Sequence, residues 1–421
     1  MRRRKFSTGL IATLAMITLA ALTGSNAAAQ QERILHGFAL YSGGAWQPYA
    51  GVIFDKAGNL YGATAQGGLY REGVVFQMTP QADGHWTETT LHSFNHNGID
   101  GWFPLGGLTL DAAGNLYGTT IYGGANGSGT VFELSASTGG EWNETILHTF
   151  NPNTDGSNPQ GTLVFDAQGN LYGIAYNGVK GTNCAGGCGA IFELTPQSGG
   201  VWSETIVHTF TDNGVDGYNP EGVIFDSAGN LYGTTVYGGT ANAGTVFKLS
   251  PQAGGGWSET ILHNFTANGT DGSYPGAGLV FDSKGNLYGM TPSGGTVVPG
   301  YGTLYELSPA AGGTWTEKVL YNFNPGAGNP IYPFATPTFD AKGNLYCTTQ
   351  QGGAYGWGTV FELKPTGGHW TESILHSFQN NNQDGIQPYA GLTLGPSGYL
   401  YGTTPGGGTQ GGGTVFEIVL P

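Results

Sequence analysis

Gly114-Asn115-Leu116-Tyr117-Gly118 is one copy of a five-residue phrase that runs through the chain. It stands also at Gly58–Gly62, Gly169–Gly173, Gly229–Gly233 and Gly285–Gly289, with variants at Gly343–Cys347 and Gly398–Gly402. Successive copies are 55–60 residues apart. A fixed period of that length marks a repeat architecture in which each unit stacks on the next.

Around each phrase the same four short segments recur. An apolar run ending in Asp, such as Gly161–Asp166, reaches a tight turn and then the phrase itself. A Gly-rich loop leads to a segment of the type Gly129-Thr-Val-Phe-Glu-Leu134, and a further turn leads to Trp142–Phe150. Each reads as a strand bounded by turn residues, and strict alternation in the last puts Glu144, Ile146, His148 and Phe150 on one face. No later segment keeps a period of 3.6. The last repeat stops after its third strand, at Gly413–Val419, while Glu32–Phe38 matches Glu372–Phe378, a fourth strand. The reading is therefore all-β: a seven-bladed β-propeller of four-stranded blades, closed by the N-terminal strand completing the last blade. An open solenoid would need capping repeats.

These motifs resemble the Gloeo-Verruco (GloVer) tandem repeats of secreted bacterial proteins, over nearly the whole mature chain, and more weakly kelch repeats, through the Gly-Gly pair after the second strand. The resemblance implies export and a repetitive β fold. It brings no catalytic residues.

Composition narrows the functional classes. The 421 residues include 78 Gly, without a collagen-like period, and enough apolar residues (38%) to bury a core. Residues 1–29 read as a signal peptide: Arg2, Arg3, Arg4 and Lys5 precede an apolar run too short for a membrane anchor, and Ala27-Ala28-Ala29 offers a cleavage point. Residues 30–421 then form one propeller domain, secreted, periplasmic or at the cell surface, without a membrane span and monomeric. A net charge of −15 opposes nucleic acid as a partner. Three Cys are too few for a disulfide scaffold; Cys184 and Cys188, in the insertion Asn177–Gly189, are spaced for a small loop disulfide, and Cys347 reads as a buried thiol.

By analogy with other propellers, function belongs on the face where the fourth-to-first and second-to-third loops gather. Trp46, Trp102, Tyr218, Tyr274, Tyr332, Trp357 and Tyr389 fall in or beside those loops. With the Asn, Asp and Gln around them they offer flat apolar faces and planar hydrogen-bond partners, as a carbohydrate site requires. Asn151, Asn153 and Asp155, and again Asn380, Asn382 and Asp384, partly match a calcium-loop spacing, but one carboxylate per loop falls short of calcium's oxygen shell. The alternative is a turn capped by Asn and Asp before Pro, with no cofactor bound.

The recurring His36, His92, His148, His208, His263 and His376, with Tyr321 in the seventh place, read as structural: packed between blades with a backbone hydrogen bond. The Asp ending six of the first strands (Asp55, Asp111, Asp166, Asp226, Asp282 and Asp340) reads as a local partner of the hairpin backbone. The function these residues support is a non-catalytic binding or interaction propeller for extracellular glycans or proteins. The alternatives are a polysaccharide lyase or hydrolase in the channel mouth, and a structural envelope protein.

Overall fold

A computed structural model describes residues 32–40, 43–297, 300–326 and 328–420. The signal-peptide segment and its cleavage point lie outside the described residues. Among the described residues no helix is long and apolar enough to cross a membrane, and regular structure is strand apart from the 3-10 turn Ala311–Gly313.

Seven four-stranded antiparallel sheets follow one another around a ring. In the second blade the strands are Thr109–Leu110, Leu116–Thr120, Thr130–Ala136 and Trp142–Thr149, paired in that order. The upper part of each first strand pairs separately in most blades, as Gly101–Trp102 does with Tyr122–Gly123; the third and fourth blades keep long first strands, Ser157–Phe165 and Gly217–Phe225. In the last blade Glu32–Ala39 pairs antiparallel with Gly411–Ile418, from Glu32 opposite Ile418 to Ala39 opposite Gly411. Arg33 adds an ion pair to Glu417 across that junction, at 3.0 Å.

The core is divided among the joints between blades. Tyr61, Val75 and Phe94 of the first blade pack with Leu116, Phe132 and Leu134 of the second. Phe38, Tyr401 and Val415 of the last blade pack likewise with Val52, Leu60 and Phe76 of the first. Each fourth-strand Trp packs edge-on against the phrase Tyr of the preceding blade, Trp142 on Tyr61 at 6.2 Å and Trp202 on Tyr117 at 6.3 Å. In the six blades that carry it, the Asp before the turn acts as the sequence suggests: Asp55 accepts the Ala57 and Asn59 N–H groups, both at 2.8 Å; the last blade has Gly395 there.

One local expectation fails. Strict alternation would put Glu144 and His148 on one face, but the fourth strand carries a β-bulge where the register slips between Val131 and Phe132. Glu144 and Ile146 face the preceding blade, whereas Leu147, His148 and Phe150 face the following one. The same slip occurs in every fourth strand, in the N-terminal one between Ile34 and His36. An extra residue in one strand reverses the side-chain parity beyond it.

Candidate functional site

Each blade enters the centre of the ring through a Pro: Pro48, Pro104, Pro159, Pro220, Pro275, Pro333 and Pro388. The residue before each has a positive φ without being glycine, from 54° at Asn158 to 63° at Phe103. That region is costly for side chains with a Cβ and persists only where the surroundings impose it. A backbone hydrogen bond from each of these residues to the preceding blade holds the turn, as Phe103 N–H to Glu72 O and Asn219 N–H to Cys188 O, both at 2.9 Å. The Pro ring seats against a glycine of that blade.

The held turn aims the next residue at the axis. These residues are Tyr49, Leu105, Gln160, Glu221, Gly276, Phe334 and Tyr389, and all seven line one central cavity of about 590 Å³. Phe103 and Tyr176 join them. Phe334 stacks on Tyr389 at 5.3 Å, and Tyr49 meets Tyr389 edge-on at 6.0 Å. Glu221 is the one carboxylate among the residues lining this cavity. It is partly accessible where it lines the cavity, yet burial raises its carboxyl to about 8, which favours the protonated form at neutral pH. Burial raises the Tyr389 phenol to about 12, and the nearby Glu221 and Tyr49 add to the shift. Tyr176 is pushed up by burial and by Glu221. The cavity thus offers aromatic faces together with an amide and a carboxyl whose neutral form burial favours.

Of the seven aromatic residues suggested by the sequence, Tyr389 lines the cavity. Trp102 lies instead against Tyr122, the rings 4.5 Å apart and tilted by 31°, and packs toward the joint of the first two blades. Tyr218 and Tyr274 flank Tyr237, at 5.5 Å and 5.6 Å, and Tyr332 meets Tyr301 at 5.6 Å. Trp46 pairs through its backbone with Gln66, and Trp357 packs against the joint of the last two blades. Sequence reasoning missed Glu221, Gln160 and Phe334. The signal was present: the residue after each recurring Pro changes while its flanks repeat.

The two calcium-spaced loops use their polar groups locally. Asn151 Oδ1 accepts the Asn153 N–H at 3.1 Å, and Asp155 accepts the Asn151 N–H at 2.6 Å. In the other loop Asn381, between Asn380 and Asn382, accepts the N–H groups of Gln383 and Asp384, at 2.9 Å each. Asp155 and Asp384 turn inward to His148 and His376, at 3.1 Å and 3.0 Å. Cys184 and Cys188 are joined in a disulfide, and Cys347 is free and buried.

Five of the six recurring His residues, all but His36, meet carboxylates rather than the backbone partner suggested by the sequence. At five joints a His, the Asp of the following loop and the Glu of the next blade's fourth strand place one ligand-type atom each within 4.8 Å of the others. The groups are His92/Asp100/Glu144, His148/Asp155/Glu204, His208/Asp216/Glu259, His263/Asp271/Glu317 and His376/Asp384/Glu32. Burial raises Glu32 and Glu317 to about 7, with Asp384 and Asp271 adding to the shift and His376 and His263 opposing it. Glu144 moves the same way, through burial and the adjoining Asp100.

Comparison with known proteins adds a family and a set of structural likenesses. The model of the Gloeobacter/Verrucomicrobia repeat matches residues 24–222, 180–332 and 298–420. No curated protein matches the chain. Among solved structures, a protein of Thermus thermophilus provisionally named an oxidoreductase (glucose dehydrogenase) is 16% identical, with TM-score 0.44, over 93% of this chain and 100% of that one. A protein of Bacteroides uniformis, provisionally named a 6-phosphogluconolactonase, is 14% identical, with TM-score 0.48, over 78% and 84%. A luciferin-regenerating enzyme is 11% identical, with TM-score 0.44, over 91% and 94%.

Proposed function

The chain belongs to the Gloeobacter/Verrucomicrobia repeat family, and from that premise we propose that it is an exported, non-catalytic binding propeller whose channel mouth takes an uncharged, hydroxyl-bearing ligand such as the end of an extracellular glycan. The observation that carries this reading is the ring of residues after the seven Pro. The scaffold repeats, but this ring presents Tyr, Leu, Gln, Glu, Gly, Phe and Tyr in turn. Tyr49, Phe334 and Tyr389 supply faces on which a sugar ring stacks. Gln160 and the protonated Glu221 supply hydrogen bonds without a fixed charge.

Hydrolysis of a glycosidic bond ordinarily uses two carboxyl groups, and the cavity lining holds Glu221 alone. That favours binding over turnover. The test is a polysaccharide and glycan panel with purified residues 30–421, wild type against Tyr389→Ala, Glu221→Gln and Trp102→Ala. Saturable binding that falls at least tenfold in Tyr389→Ala, with Trp102→Ala unchanged, supports the channel site. Loss in Trp102→Ala alone moves the site to the outer loops, release of sugar fragments makes the chain an enzyme, and no binding to any glycan defeats the proposal.

A further inference from the structure

The five joint clusters differ from the two remaining joints in a way that points to a ligand. Glu32, Glu144, Glu204, Glu259 and Glu317 each bury an Oε1 without a hydrogen-bond partner. These are the five glutamates of the complete His/Asp/Glu clusters. The other two joints have no Asp in the preceding loop, and there the glutamate is partnered: Glu88 accepts from the Thr90 hydroxyl at 3.2 Å, and Glu372 from the Tyr321 hydroxyl, which stands where the other joints have His. An orphaned glutamate oxygen therefore accompanies the full set of three residues.

Four of the five aspartates repeat the pattern, Asp155 being satisfied by the Asn151 N–H. Oδ1 of Asp100, Asp216, Asp271 and Asp384 has no partner, and the side chains of Asp100, Asp216 and Asp271 are only 8–9% exposed. Two carboxylates brought together in a buried joint repel unless something positive lies between them, and an unpaired buried oxygen carries its full desolvation cost.

We infer that each complete cluster is a binding site for a divalent metal ion of the zinc type, with the His Nε2, the Asp carboxylate and the Glu carboxylate as protein ligands. The His Nε2 atoms lie 3.0–3.7 Å from the Asp oxygens and, where they approach the glutamates, 3.5 and 3.6 Å from them. Two ligands held tetrahedrally about 2.1 Å from zinc stand about 3.4 Å apart. One imidazole with two carboxylates suits zinc and its first-row neighbours; calcium needs more oxygens than the cluster has. Backbone N–H groups of Asn95, Thr211, Thr266 and Gln379 donate to the Asp Oδ2 atoms at 2.8–2.9 Å and fix their orientation, as outer partners do in metal sites. A cavity of about 570 Å³ beside Glu32, His376 and Asp384 gives solvent access to one cluster.

The competing occupant is a proton shared between the Asp and Glu of each pair. Tag-free protein is stripped with chelator, equilibrated with zinc in the presence of excess calcium, desalted and assayed for metal per chain. The expected result is about five zinc ions, falling by about one in Glu144→Gln and by about two in the Glu144→Gln/Glu317→Gln pair. The zinc absorption edge should report a nitrogen/oxygen shell with one imidazole per metal, and this reading on wild-type protein stands even if the variants fold poorly. Retention of one zinc or fewer, displacement by calcium, or unchanged stoichiometry in the double variant overturns the inference in favour of the shared proton.

Discussion

Gly129 and Pro159 meet across the joint of the second and third blades so closely that a Cβ on Gly129 would stand 2.4 Å from the Pro159 Cδ. It would also stand 2.5 Å from the Thr120 carbonyl oxygen, on a backbone with φ +106°. Gly127, two residues earlier, has φ +70° and open space around its missing side chain. Gly127→Ala should cost about 1–2 kcal/mol through the left-handed backbone alone. Gly129→Ala adds an overpacked joint and should cost about 2–4 kcal/mol. Denaturant titration of the two variants reads the difference, and equal losses would mean that the joint yields freely.

The N-terminal strand is expected to latch the ring. Phe38 is buried and packs edge-on against Phe76 of the first blade at 5.2 Å, as Phe150 does against Phe192 at 5.1 Å. If the strand is an integral part of the last blade, Phe38→Ala should destabilise as much as Phe150→Ala, by about 3–5 kcal/mol. A loss below about 1 kcal/mol for Phe38→Ala would show that the ring holds without it.

Most of the fold is legible in the sequence because the repeat makes seven independent statements of one pattern. The phrase Tyr recurs in every blade, and the turn led by Asp in six of the seven. The bulge in the fourth strand was not legible. Leu147 and His148 look like ordinary alternation, and only the register slip, with His148 opposite Val131 and Ile146 opposite Phe132, reverses the parity. The candidate site was half legible: the aromatic residues of the loops stood out by type, whereas Glu221 and Gln160 stand out only when the seven positions after Pro are laid side by side. The His and Asp residues were each visible, but their meeting with the glutamate of another blade depends on the bulge.

Glu221 should leave a mark on the pH dependence of stability. Burial raises its carboxyl from 4.5 to about 8, so between those values the folded chain holds a proton that the unfolded chain has released. Stability contributed by this group is full below pH 4.5 and is lost as pH rises through 8. Thermal melts of wild type and Glu221→Gln across about pH 4–9 should diverge over that window, the wild type losing more on going to the alkaline end. Parallel curves would place the carboxyl at its ordinary value.

Thiol counting tests the cysteines. Cys184 and Cys188 are paired and Cys347 is buried, and burial pushes the Cys347 thiol up, away from the reactive thiolate. Native protein should give no rapid reaction with a thiol reagent, denatured protein one thiol, and denatured, reduced protein three. Three thiols without reductant would mean that the pair does not form.

The bulge also bears on how such a chain can grow. Because it turns one strand's Glu toward the blade before and its His toward the blade after, every repeat carries half of two different joints. A copy made by tandem duplication arrives with both halves already complementary to its neighbours, so blades can be added, lost or exchanged without a new contact having to be invented. The joints without the Asp mark where that interchangeability ends.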